Sequence, residues 1–166
     1  MTEHIDKLCL RYRKKGVLVD ANLLLLLVVG DIDVSLIPRF KRTRMFVMED
    51  HALLSRLLKF FARIVTTPNI LTEVSNLGSQ LKDDRKPVFA SSLQSTIDVL
   101  DEQYIQSHEV AETREFSRFG LTDAGILRLA KHRMLVVTTD FPLSQYLASK
   151  GGDVLNFNHI RTLGWT

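Results

Sequence analysis

The chain has 166 residues, 45% of them hydrophobic, and 22 basic against 19 acidic side chains give it a formal net charge of +3. This length suits a single domain over 1–166, and the apolar share is enough to cover a sheet on both faces. The lone cysteine, Cys9, excludes a disulfide framework or a cysteine-rich zinc site and fits a reducing compartment, while the mild basicity permits a polyanionic partner without requiring one.

In chain order, Arg11, Arg13, Lys14 and Lys15 precede the stretch VLVDANLLLLLVVG, Val17 to Gly30. Basic residues before an apolar run mimic a secretory signal. The uninterrupted apolar run, however, has only the seven residues Leu23 to Val29, against the ~20 needed to cross a bilayer. Asp20 and Asn22 also interrupt the place where a signal's apolar core would begin. The expectation is a cytoplasmic protein with no membrane segment. Val17 to Val19 reads as a short central strand and Ala21 to Val29 as a leucine-rich helix. Residues 31–50 form a basic insert, in which Asp31 to Arg44 carries Pro38, Arg39, Lys41, Arg42 and Arg44 and reads as irregular.

Ala52 to Ala62 has leucines at helical spacing, and Ile64-Val65 reads as a second strand. Thr67-Pro68 is a helix start, with Thr as the cap and Pro in the first turn, and this helix stops near Gly78. Ser91 to Tyr104 spaces Leu93, Ile97, Leu100 and Tyr104 by three or four, a stripe expected to face the core. Thr122 is expected to cap a helix running through Arg133. Met134 to Val137 reads as a strand, Phe141 to Ser149 as a helix, and Asp153 to Phe157 as a final strand. Helices alternating with short apolar strands predict an α/β layer fold with a mainly parallel sheet, its core spanning about 17–157. The chain shows no internal repeat, linker or low-complexity tract.

Ligands of open α/β sheets bind beyond the carboxyl ends of the strands. Asp20 ends the VLVD strand and Asp140 ends the MLVVTTD strand. A helical wheel adds two more acids. With Asp123 at the origin, Leu127 falls at roughly 40°, Ala130 at 340° and Ile126 at 300°, so Asp123 is central on its helix's apolar face. Glu73 lies at the border of the apolar arc of Ile70, Leu71, Val74 and Leu77. Each acid also has a purely structural explanation. Asp20 and Asp140 suit helix N-caps, Asp123 suits a first helical turn, and Glu73 suits a solvent edge. Taken together they differ from caps, because no lysine or arginine shares these faces. Carboxylates crowded in one crevice repel one another, and a hard divalent cation such as Mg2+ or Mn2+ relieves that repulsion through oxygen ligands.

VDAN after a strand, the helix residue in TEVSNL, the helix start LTDAGI and the strand end TTDFPL resemble the four acidic motifs of PIN-domain nucleases. Order and local context agree for all four, over roughly residues 17–157. The resemblance implies a three-layer α/β/α sandwich and a Mg2+- or Mn2+-dependent ribonuclease, a hydrolase of RNA phosphodiester bonds. Many family members are toxins of bacterial toxin–antitoxin pairs, so an antitoxin or other protein partner and a homodimer also belong to the expectation. By resemblance, Asp20, Glu73, Asp123 and Asp140 are catalytic and hold the metal. Asn22 would orient Asp20 or a metal-bound water, and Thr138 or Thr139 would bond carboxylates or phosphate. Losing any one acid is expected to abolish cleavage and spare folding. The separation of Asp20 from Glu73 exceeds that of compact toxin members, the extra length falling in the basic insert.

Neutralising the four acids raises the formal charge to +7, which makes Arg11, Arg13, Lys14, Lys15, Arg39, Lys41, Arg42 and Arg44 candidates for RNA phosphate contacts. The alternative for each is an ordinary solvated charge. Tyr12 and Phe40 could stack on bases or pack in the core. His4, His51, His108, His132 and His159 have no metal-ligand spacing, and Cys9 has no histidine partner in its vicinity. No nucleophile-elbow serine or phosphate-binding glycine pattern is present. Two rival readings are a catalytically silent PIN-like module that binds RNA or protein, and an aspartyl-phosphate phosphatase using Asp20 as nucleophile. Asn22 lacks the acid function that such a phosphatase needs two residues beyond its nucleophile.

Overall fold

The computed structural model describes residues 2–131 and 133–163, and His132 lies outside them. It is a three-layer α/β/α sandwich around a five-stranded, all-parallel sheet. Helix α1 (Thr2–Tyr12) leads into β1 (Val17–Val19), and α2 (Ala21–Ile32) follows directly. After a 3-10 turn at Val34–Leu36 come α3 (Met48–Leu58), β2 (Ile64–Thr66), α4 (Pro68–Gly78), α5 (Lys86–Ile97) and β3 (Asp101–Glu102). Then follow α6 (Ser107–Ala111), α7 (Phe116–Ala130), β4 (Leu135–Thr138), α8 (Phe141–Ser149), β5 (Val154–Asn156) and α9 (Phe157–Leu163).

The strand order is β3-β2-β1-β4-β5. From β1 the chain first winds outward through β2 to β3, then returns to β4 on the other side of β1. Right-handed crossovers in opposite directions put the two sets of helices on opposite faces. The winding reverses between β1 and β4, which makes their carboxyl ends the topological switch point, where a parallel sheet opens a crevice. Val17 to Val19 and Leu135 to Val137 are essentially excluded from solvent, as expected of strands covered on both faces. The apolar run after Asp20 is likewise interior: Leu23 to Leu26, Val28 and Val29 are buried in α2, which packs on α3, α4 and α5. Among the described residues, no helix is long and apolar enough to cross a membrane.

Several elements differ from the sequence reading. The amphipathic stripe expected to reach Tyr104 ends at Ile97, because α5 begins early, with Pro87 in its first turn, and residues 101–102 pair with β2 instead. Tyr104 is therefore 76% exposed rather than part of the core. Gly120, whose φ of 75° and ψ of −179° are not helical, divides α7 into a short piece from Phe116 and a second helical segment that begins beside Thr122, close to the expected start, and ends at Ala130 rather than Arg133. The third helix starts at Met48 rather than Ala52, where the Asp50 carboxylate accepts the Val47 N–H at 2.8 Å. The basic insert is irregular as expected, but it is pinned. Ile37, Phe40, Thr43 and Phe46 are buried in it, and Arg161 of α9 clamps its end by donating to the Met45 carbonyl and to the buried Asp50.

Helices α4 and α5 touch through Gly78. A Cβ at this position would lie 1.9 Å from the Phe89 ring. Gly78→Ala is expected to destabilise the protein by about 1–3 kcal/mol despite alanine's better helix propensity, and Phe89→Leu in the same chain should recover part of that loss, as measured by urea unfolding.

Candidate active site

Asp20 sits where β1 ends and α2 begins, 5% exposed. Its Oδ1 accepts the Leu23 N–H at 2.8 Å, capping α2. Its Oδ2 accepts the Thr139 N–H at 2.8 Å and the Thr138 hydroxyl. The carboxylate thus joins the carboxyl ends of β1 and β4 across the switch point. Thr138 extends the network, since its Oγ1 also accepts the Asp140 N–H at 2.9 Å. Asp140 in turn caps α8, with Oδ1 accepting the Leu143 N–H at 2.7 Å. Both structural explanations of these acids are therefore true as local facts, and they do not account for the whole arrangement.

Asp123 supplies what they omit. It lies in the α7 segment beyond Gly120 and is only partly exposed. Its carboxyl pKa is pushed from 3.8 up to about 7, first by burial and then by the charges of Asp140, Asp20 and Glu73. The four acids drawn from α2's cap, α4, α7 and α8's cap therefore share one electrostatic field. Burial also raises the Asp20 pKa, against its three hydrogen bonds, with Asp140 adding to the rise. Glu73 is exposed on α4, at the edge of the cluster. Among the described residues, no lysine, arginine or histidine forms an ion pair with any of the four. Anionic groups facing inward without a counter-charge are costly.

The donor set is all carboxylate, which suits a hard divalent ion. The side chains are nonetheless not drawn into a cage: among the described residues, no three His, Cys, Asp or Glu side chains stand close enough to hold a metal as they are. Asp140 bonds Leu143 through Oδ1 alone and has Oδ2 to offer, while Asp20 has little acceptor capacity left after three bonds.

The other expected residues are spread over the fold. Thr138 and Thr139 are buried and bond Asp20, the first through its hydroxyl and the second through its backbone. Asn22 is partly exposed on α2 and is not among Asp20's partners; the orienting work expected of it falls to Thr138, Thr139 and the α2 amides. Arg11, Arg13, Lys14 and Lys15 are exposed, but they precede β1 and so lie at the amino edge of the sheet, opposite the acids. Arg11 pairs there with Asp153, and Lys15 lies over the Tyr12 ring. Arg39, Lys41, Arg42 and Arg44 are exposed on the insert, with Arg42 donating to Gln80 just beyond α4. Tyr12 and Phe40 are core residues, and the Tyr12 hydroxyl donates to Asp153. His51 contacts Asp31 at 2.8 Å, His4, His108 and His159 are exposed, and Cys9 is buried with its pKa raised to about 11.

Two residues near the crevice escaped the sequence reading. Asn158 donates to the Thr139 carbonyl at 3.2 Å and accepts from Arg161, linking α9 to the β4 end. Thr66, at the carboxyl end of β2, has a buried hydroxyl with no hydrogen-bond partner among the described residues. The TTP signal at residues 66–68 marks the helix start and carries no sign of that orphaned group. No protein-family model matches the chain, and no curated protein is significantly similar to it.

Two expectations follow. The folded protein holds a proton on Asp123 that the unfolded chain releases at lower pH. Stability without metal should therefore fall as pH rises from about 4 through about 7. Asp123→Asn should flatten that slope and raise the melting temperature at pH 8, a gain on the order of 1–3 kcal/mol. Asp20→Ala leaves three donors without their acceptor and should cost about 2–4 kcal/mol. Among the four acids Asp20 is thus the one whose removal is expected to weaken the fold, because its carboxylate closes the central strand pair.

Proposed function

We propose that the protein is a Mg2+- or Mn2+-dependent ribonuclease acting on single-stranded or structured RNA. The observation that carries this reading is the cluster itself: Asp20, Glu73, Asp123 and Asp140 share one field at the switch point and lack any basic partner among the described residues. The likeness of their four local contexts to PIN-domain motifs supplies the reaction. Asp140, Asp123 and Glu73 would hold the ion, with Asp20 as a fourth, more constrained donor. When bound, such an ion supplies an activated water and neutralises charge on the phosphodiester.

The chain's own groups do the remaining work. Thr138 and Thr139 fix the Asp20 carboxylate, and Thr138 aligns the Asp140 backbone. Helices α2, α4 and α8 all start at this edge of the sheet, so their positive ends favour phosphate oxygens. Glu73, exposed on α4, would hold the ion or orient the attacking water. Hydrolysis would leave a 5′-phosphate and a 3′-hydroxyl. An aspartyl-phosphate mechanism is disfavoured because Asn22 lacks the acid function it needs two residues beyond Asp20, and both Asp20 oxygens are already engaged in hydrogen bonds.

The decisive experiment incubates labelled RNA with the protein in Mn2+, in Mg2+ and in EDTA. Cleavage is expected only with a metal. Asp123→Asn and Glu73→Gln should cut at least about 100-fold more slowly while keeping the native circular dichroism spectrum. Independently of activity, Mn2+ should raise the melting temperature of the wild type and leave that of Asp123→Asn nearly unchanged. RNA left intact under every condition, with no shift in melting temperature, would overturn the reading and favour a binding module.

A further inference from the structure

We infer that two exposed aromatic residues, Tyr104 and Phe141, flank the acid cluster as stacking platforms for the bases on either side of the cleaved bond. This rests on the ribonuclease reading and adds the path of the strand to it.

Phe141 immediately follows Asp140 as the first residue of α8, yet it is 57% exposed. Tyr104 is 76% exposed two residues beyond β3, where Gln103 N–H to the Thr66 carbonyl at 2.9 Å holds the chain against β2. Both residues stand at the carboxyl edge, the edge that carries the acids. The strand order puts β2 and β1 between β3 and β4. Three strand spacings separate the two ends by roughly 14 Å, with Asp20 and the α4 start in between.

The surroundings of Tyr104 suit a polyanion. It lines a cleft of about 520 Å3 with Glu109, Arg128, Leu129, Lys131 and Arg133. Glu109 is paired with Arg128 at 2.7 Å, so two positive charges remain in the lining. Tyr104 also borders a smaller hollow lined by Thr67, Asn69 and Gly125, the last only two residues from Asp123. A strand that leaves the acids along α7 therefore meets an aromatic face and then cations. Exposed rings beside cationic clefts are how single-stranded nucleic acids are held without base-specific readout. The cleft follows α7 toward the amino edge, where Lys131 and Arg133 precede β4, and the basic residues before β1 form no part of its lining.

The test measures binding of a fluorescent single-stranded oligoribonucleotide in EDTA, and cleavage kinetics in Mn2+. Tyr104→Ala and Phe141→Ala should each weaken binding by roughly 5- to 100-fold and raise KM with little change in kcat. Tyr104→Phe and Phe141→Trp should retain binding, because the ring and not the hydroxyl is used. Arg133→Ala should lower the salt dependence by about 0.7 in the log–log slope. Leu10→Ala, an exposed apolar residue on α1, should bind as the wild type does. If the wild type cleaves RNA and both alanine variants bind it undiminished, the stacking inference is overturned and the nuclease reading stands. A wild type that neither binds nor cleaves RNA overturns both.

Discussion

The Asp20 carboxylate is the interaction on which the rest of the site depends. Its three hydrogen bonds cap α2, hold the end of β4 and, through Thr138, fix the start of α8. One ionisable group thus sets the relative position of the two strands that border the crevice. Burial raises its pKa while the three bonds lower it. Such a group keeps its place because the surrounding donors satisfy it, and it would be expensive to bury without them.

Around this fixed point the other acids differ in freedom. Asp140 is half committed, with one oxygen bonded to the α8 amide. Asp123 is partly buried with its pKa near neutrality, and Glu73 is exposed. The gradient from rigid to free runs outward from the sheet. The positive ends of three helices partly offset the negative cluster and favour the phosphate that would complete it.

The sequence was most informative where physics is local. The strand-end acids were legible because a carboxylate closing a run such as VLV or LVV has few places to go but a cap or a cleft. Asp123 was legible through the helical wheel, since an acid centred on an apolar face must answer to something inside. The mainly parallel sheet followed from helices alternating with short apolar strands, and every pairing in it is in fact parallel. Less legible was anything set by distant pairing. The β3 pairing at Asp101 and Glu102 has no apolar alternation, so the helical stripe was carried too far and Tyr104 was placed in the core. The break at Gly120 was hidden in a pattern that remains helical on both sides. Asp20's bond to Leu23 was legible as a cap and its bond to Thr138 through the likeness of TTDFPL to a PIN motif, whereas Asn22 gave no guide to them, since two of the three partners arrive from more than a hundred residues downstream.

That separation has a kinetic side. The central β1–β4 pair joins Leu18 to Val136 and Val19 to Val137, and the bond that completes the Asp20 network spans 118 residues. Loop closure over such a length precedes any reward from the contacts it makes, so pairing of this kind forms late and slowly. A growing chain displays Asp20 early, yet it has no β4 to hold that carboxylate until most of the polypeptide has been made. The order of synthesis therefore acts as a timer: the acid cluster is assembled only when the fold around it is nearly complete.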